Sequence, residues 1–260
     1  GADSLEFRDI HALSADQAWL LSAGPGTRSR IYYTRDGGVT WSQQFRNEDP
    51  DAFYDCFAFF DARRAIAFSD GGSSGQLLPS SVVPAPVEGE GAFAASGGGV
   101  ATFGSRFGWV ALGGPAARLF RSDNGGATWS VHDTPMVRGE AAGMTAIDFR
   151  DADRGIAVGG RINSYTTDTA SAAVAVTSDG GRSWTLGTRP ARPGALFAVT
   201  WLRDLPGERA LAAGPGGLFY TEDAGQTWTT LDQRAFWSVA ASGRTAWAAG
   251  PRGTVVKLTF

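Results

Sequence analysis

The sequence predicts an all-β fold, a ring of short antiparallel sheets, from three observations. An octapeptide occurs four times: TRDGGVTW at residues 34–41, SDNGGATW at 122–129, TSDGGRSW at 177–184 and TEDAGQTW at 221–228. A short apolar segment recurs at Trp19, Ile66, Trp109, Ile156, Leu211 and Trp247, on average about every 46 residues, a period in the range of propeller blades. Composition agrees: 36 Gly, 12 Pro and 9 Trp in 260 residues suit many short strands joined by tight turns.

Each octapeptide reads as a β-hairpin turn. A short carboxylate or amide (Asp36, Asn124, Asp179, Asp223) accepts backbone N–H bonds from the residues after it. The glycine two positions on supplies a positive φ. The tryptophan that follows (Trp41, Trp129, Trp184, Trp228) opens the returning strand with a large apolar ring. Asn124 replaces aspartate in the second copy and retains the turn chemistry.

The apolar segments are continuous rather than alternating, as in strands covered on both faces. One domain spanning 1–260 is expected, a β-propeller of four-stranded blades with six recognisable repeats at about 6–52, 53–97, 98–143, 144–194, 195–235 and 236–260. In the fourth, strands fall at 144–149, 155–158 and 172–177 and from Trp184, with a long insertion at 159–171. Two repeats are irregular. The second has no octapeptide and passes through GGSSG at 71–75, of linker composition, into a stretch with Pro79, Pro84 and Pro86. The last ends without octapeptide or fourth strand, so a segment near residues 1–5 is expected to complete its sheet.

Formal charge is −3, from 23 basic and 26 acidic residues, which gives no basis for nucleic acid as a partner. Lys257 is the only lysine; the remaining basic residues are arginines. Codon composition accounts for that bias as readily as selection for bidentate recognition of carboxylates or phosphates. Cys56 stands alone in an apolar run, reads as a buried small hydrophobe and excludes an intrachain disulfide. No apolar run reaches the roughly 20 residues of a membrane span. The sequence starts at Gly1 without a signal-type segment. His11 and His132 have no ligand-spaced partners; no metal site and no cofactor are expected. Acids available for a glycosidase pair (Asp51, Asp55, Glu88, Glu90, Glu140) lie mostly in polar loops.

In a propeller, the loops between second and third strands share one face with the loops that enter each blade. That places Arg28, Arg30, Arg118, Arg161 and Arg252 in the first set, and Arg189, Arg192 and Arg234 in the second. These eight form a candidate arginine face for an acidic protein segment or a small anionic ligand. Tyr165 falls on the same face.

The octapeptides resemble the Asp-box, or BNR repeat, of sialidases and many other propellers. The sialidase Arg-Ile-Pro signature is absent, since Arg30-Ile31 runs into Tyr32. The boxes, the recurring apolar strand and the run DCFAFFD at 55–61 together resemble the bacterial relatives of the photosystem II stability/assembly factor. The resemblance covers most of the chain and weakens at 70–90. It implies a seven-bladed, non-catalytic propeller that binds protein partners through an arginine-rich face, with export to the periplasm or outside the cell. The function expected is thus a monomeric, non-catalytic scaffold for a protein or peptide. The alternative is a carbohydrate-active enzyme or glycan-binding module.

Overall fold

A computed structural model describes residues 5–70, 81–85, 87–93 and 96–260. Apart from three single-turn 3-10 segments, the regular structure there is strand. Blade 1 holds β1 (Glu6–Ala12), β2 (Ala18–Ala23), β3 (Arg30–Thr34) and β4 (Ser42–Arg46) in sequential order. A hairpin follows, β5 (Phe53–Asp61) with β6 (Arg64–Asp70). Blade 2 is β7 (Val100–Phe103), β8 (Phe107–Ala111), β10 (Arg118–Ser122) and β11 (Ser130–Asp133). Blade 3 is β12 (Gly139–Phe149), β13 (Gly155–Arg161), β14 (Val174–Thr177) and β15 (Thr185–Leu186), with β9 (Gly113–Gly114) of the preceding blade added at its inner edge. Blade 4 is β16 (Ala198–Trp201), β17 (Ala210–Gly214), β18 (Gly217–Thr221) and β19 (Thr229–Asp232). Blade 5 has three strands, β20 (Ser238–Ser242), β21 (Thr245–Ala249) and β22 (Val255–Thr259).

The fold is an all-β propeller, but the six repeats are not six blades, nor are there the seven of the family pattern. Five blades of three to five strands form among the described residues, and the second repeat contributes only the two-stranded hairpin. Beyond it, the described parts of 81–93 are turns and irregular backbone that join blade 2 through isolated backbone bonds, such as Trp129 N to Val82 O at 2.8 Å, and through the Arg118–Glu90 ion pair. Pro84 has no N–H to give a ladder. The linker-like stretch 71–75 lies outside the described residues. Blade 5 has three strands among the described residues, and the segment near residues 1–5 expected to complete it lies outside them but for Leu5.

Packing between blades holds the ring. Trp109 of β8 lies flat on Phe149 of β12, ring centroids 3.5 Å apart and planes 4° off parallel, and its Nε1–H donates to Gly180 O at 2.8 Å. Ile156 and Val158 meet Trp201 and Phe219 in the next interface, and Leu211 meets Phe236 and Ala246 in the one after. Strands β13, β16 and β17 are buried almost throughout, as the continuous apolar runs predict. Cys56 is fully buried. Blade 5 instead alternates, and Trp247, at the repeat position of Trp109, is 39% exposed. On the other side of the ring Ile10 of blade 1 is 63% exposed.

The Asp-box turns lock each blade to itself. Asp179 accepts bonds from the Thr177 hydroxyl, the N–H groups of Arg182 and Ser183, and the Ser183 hydroxyl, at 2.6–3.0 Å. In the second box the Asn124 Oδ1 accepts from Thr128 N while Nδ2 donates to the Thr128 hydroxyl, so the amide replaces the carboxylate by reversing one bond. The box backbone then donates to the turn between the first two strands of its own blade: Gly37 to Asp16 O, Gly125 to Arg106 O, Gly180 to Asp153 O and Ala224 to Glu208 O. Both central residues of each box turn have positive φ, so the left-handed backbone extends one residue earlier than the sequence suggests. In the fourth box that residue is Ala224, at φ 54°.

Burial raises the Asp179 pKa, but the hydrogen bonds of Ser183, Thr177 and Arg182 outweigh it and hold the group at about 2. A depressed carboxylate stabilises the fold above its ordinary pKa and loses that contribution as pH falls through its folded value. Asp179→Ala should therefore cost about 1–3 kcal/mol at pH 7, measured by urea denaturation, with the difference shrinking between pH 4 and 2. Ala224→Gly should raise stability by about 1 kcal/mol by relieving the left-handed alanine; an unchanged midpoint would show that the turn absorbs the strain elsewhere.

Candidate functional site

The inner strands β1, β5, β7, β12, β16 and β20 surround the axis, and a cavity opens at each end of it. The cavity on the face away from the Asp-boxes, about 470 Å³, is walled by the starts of β1 and β20, by Ser96, and by three rings, Tyr165, Phe197 and Trp237. These rings pack on one another, with centroids 5.2 Å apart for Phe197–Trp237, 5.9 Å for Tyr165–Phe197 and 6.1 Å for Tyr165–Trp237. Tyr165 stays 41% exposed. Phe7, 42% exposed, adds a fourth ring to the wall.

Tyr165 is placed by the long insertion of blade 3. A single 3-10 turn at Ile162–Ser164 presents it, and Ala195 N donates to its carbonyl at 2.7 Å. Arg189 ties the insertion to the loop entering blade 4. Its guanidinium donates to the carbonyls of Asp168 and Gly194 and to the Ser171 hydroxyl, and it faces the Asp168 carboxylate at 3.6 Å. Burial pushes the Asp168 carboxyl up, but bonds from the Ser171 hydroxyl and Arg161 N–H together with the Arg189 charge bring it below the usual range.

None of the eight candidate arginines lines this cavity; Arg8, paired with Glu6 at 2.9 Å, does. Three of the eight have local carboxylates: Arg118 with Glu90 at 2.5 Å, Arg189 with Asp168, and Arg234 with Asp232 at 2.6 Å. Arg30 donates to Thr27 O and Arg192 to Gly216 O and Gln233. Arg28, Arg161 and Arg252 are exposed on the loops of this face, without a hydrogen bond or ion pair from their guanidinium groups among the described residues. The rings that build the cavity were partly legible: Tyr165 falls on this face, and Trp237 belongs neither to a box nor to a second strand. Nothing in the sequence says that they meet.

The opposite cavity, about 560 Å³, opens on the Asp-box side and includes Asp9, His11, Phe59, Asp148 and Arg203 in its wall. His11 is half-buried here and stacks on Phe59 at 4.7 Å. The two cavities are divided by residues 96–99, which cross the axis: Ser96 Oγ donates to Phe197 O at 2.5 Å and Gly98 O accepts from Ile147 N at 2.8 Å. Gly97, at φ 72°, lies so close to Asp9 that a Cβ would stand 2.4 Å from its Oδ1. Among the described residues no three His, Cys, Asp or Glu side chains gather as metal ligands, and no helix is long and apolar enough to cross a membrane.

Fold and turns together define an Asp-box β-propeller. The BNR/Asp-box repeat matches residues 32–43, the first of the four boxes. Comparison with curated protein sequences gives no match. Among solved structures, the chain is similar to Mala s 1, the major allergen of Malassezia sympodialis, at 13% identity and a TM-score of 0.59, covering 95% of this chain and 87% of that one. It is also similar to a GH74 enzyme of Niastella koreensis, at 12% identity and a TM-score of 0.52; 98% of this chain corresponds to 36% of that one. The photosystem II assembly factor YCF48, in a structure with bound D1 peptide, matches at 14% identity and a TM-score of 0.45, over 99% of this chain and 93% of that one. At these identities the likeness is one of fold.

Arg189→Ala should lower stability by about 1–3 kcal/mol and raise amide exchange across 162–171 selectively. Arg189→Lys should not restore protection, since an ammonium cannot span two carbonyls as the planar guanidinium does. Exchange rising evenly over blade 3 would argue against a clamp.

Proposed function

We propose that this chain is a non-catalytic scaffold that binds a protein or peptide segment at the aromatic mouth of its axis. The observation that carries the reading is the ring cluster of Tyr165, Phe197 and Trp237, with Tyr165 exposed, Trp237 half-buried and Phe197 buried, at a cavity of about 470 Å³ on the face where loops of several blades converge. Aromatic side chains in a concave site are the usual energetic anchors of protein interfaces, because they bury large areas at little rotamer cost. Arg28, Arg161 and Arg252 around that mouth favour a segment with acidic residues flanking its anchor, through long-range attraction more than through contact. Glu6 is the one acid in the cavity wall and is already engaged by Arg8. A glycosidase needs two carboxylates across a bond, so the wall supports binding over hydrolysis. A small carboxylate or phosphate ligand at the arginines, and an exported location, fit the same reading.

An array of peptides, each with one aromatic residue flanked by aspartates, tests it. Tyr165→Ala and Trp237→Ala should each weaken the best binder by at least about tenfold, a typical hot-spot loss, at unchanged melting temperature. Arg161→Ala should mainly reduce the salt dependence, and Asp179→Ala should leave affinity intact. Affinity untouched by both aromatic changes would reject the site. Turnover of aryl glycosides that Glu6→Gln abolishes would favour the enzymatic alternative.

A further inference from the structure

Two aspartates on the axis occupy equivalent places in the repeat and have different fates. Asp148 of β12 accepts N–H bonds from Phe149, the residue after it, and from Trp201 on the inner strand of the next unit. Asp9 of β1 does the same with Ile10 and with Phe57 of β5, the latter at 2.9 Å. Two residues beyond Trp201 stands Arg203, whose guanidinium meets the Asp148 carboxylate and also donates to Phe149 O. Two residues beyond Phe57 stands Phe59. The repeat thus puts a ring where its other copy puts the counter-charge, and Asp9 lies half-buried at the wall of the cavity of about 560 Å³, with no cation of its own among the described residues.

We propose that this second cavity, on the Asp-box side of the axis, binds an organic cation, an ammonium or guanidinium group seated on the Asp9 carboxylate in the position Arg203 fills for Asp148. The other ionisable groups facing the cavity leave that role open. Arg203 is committed to Asp148, and burial lowers the pKa of His11, keeping its ring neutral at pH 7. The rest of the wall is mixed: His11 stacks on Phe59, with Phe103 and Val239 nearby, and Thr102 and Thr200 add hydroxyl groups. The aromatic part of that lining tolerates quaternary ammonium groups well, and the hydroxyl groups can accept bonds from an N–H cation. Burial pushes Asp9 up to about 7, against the two backbone N–H bonds that lower it. A ligand cation would reverse that shift, so cation affinity should fall by about tenfold per pH unit below 7, where the free carboxyl holds a proton.

Calorimetric titration at pH 8 and low salt with choline, and with its uncharged isostere 3,3-dimethylbutan-1-ol, separates charge from shape; butylammonium serves as a second cation. At least one cation should bind at least about tenfold more tightly than the neutral alcohol, a factor set by the single charge pair. Asp9→Asn should remove that preference while the protein still melts normally, since an amide oxygen can still accept the Phe57 N–H. Should Asp9→Asn fail to fold, Phe59→Arg gives an independent answer: by restoring the internal counter-charge it should abolish cation binding and raise the melting temperature at pH 8. Equal affinity for choline and the alcohol, no cation binding at millimolar concentration, or binding that persists in Asp9→Asn or Phe59→Arg would each overturn the proposal.

Discussion

The central sheets of this molecule have two apolar faces, and no single sheet can hide both. That constraint forces the ring. The Trp109–Phe149 stack shows the local solution, a large ring from a second strand laid flat on an aromatic of the next blade and tied to its Asp-box through Gly180. Each interface needs the blade on either side, so burial rises toward the middle of the chain, where β13, β16 and β17 are covered on both faces. Blades 1 and 5 have a neighbour on one side only, and Ile10, Trp247 and Val255 remain exposed as a result. The same residue type at the same repeat position is a core anchor in one place and surface in another.

Local chemistry was legible wherever it was periodic. The four boxes specify turns through atoms within eight residues of one another, so their geometry follows from spacing alone, including the exchange of Asp for Asn124. The left-handed Ala224 was not legible, because alanine at that position gives no hint of positive φ. Blade count failed for a different reason. A recurring second-strand signal at Ile66 marks a repeat but cannot say whether third and fourth strands follow, and the hairpin β5–β6 stops at two. The last repeat ends as the sequence suggests, in a sheet of three strands among the described residues.

The site was legible by face but not by residue. Topology brings the loops at 162–173 and 187–197 together, on the face to which the sequence reading assigns their arginines. It could not tell an arginine that reaches solvent from one that holds a loop. Arg189 lies among carbonyls left without partners by the irregular insertion, and a guanidinium has enough donors to satisfy several at once. Tyr165, Phe197 and Trp237 come from three separate loops, and their meeting depends on loop conformations that no periodicity encodes.

Repetition also separates structure from function inside one chain. Features that recur in blades 1 to 4, such as the box turns and the bond from each box to its neighbouring turn, are explained by folding, since each of those blades uses them alike. Departures from the repeat have no such explanation and are where selection for binding can act. The insertion carrying Tyr165 belongs to one blade, and the exchange of an arginine for Phe59 beside Asp9 to one inner strand. Both departures face the axis, one from each side of residues 96–99, which close the channel between them. An axis blocked at its middle cannot serve as a conduit, and it presents two independent pockets of different polarity, an aromatic one at the end bearing the long loops and a carboxylate-bearing one walled by the inner strands at the Asp-box end.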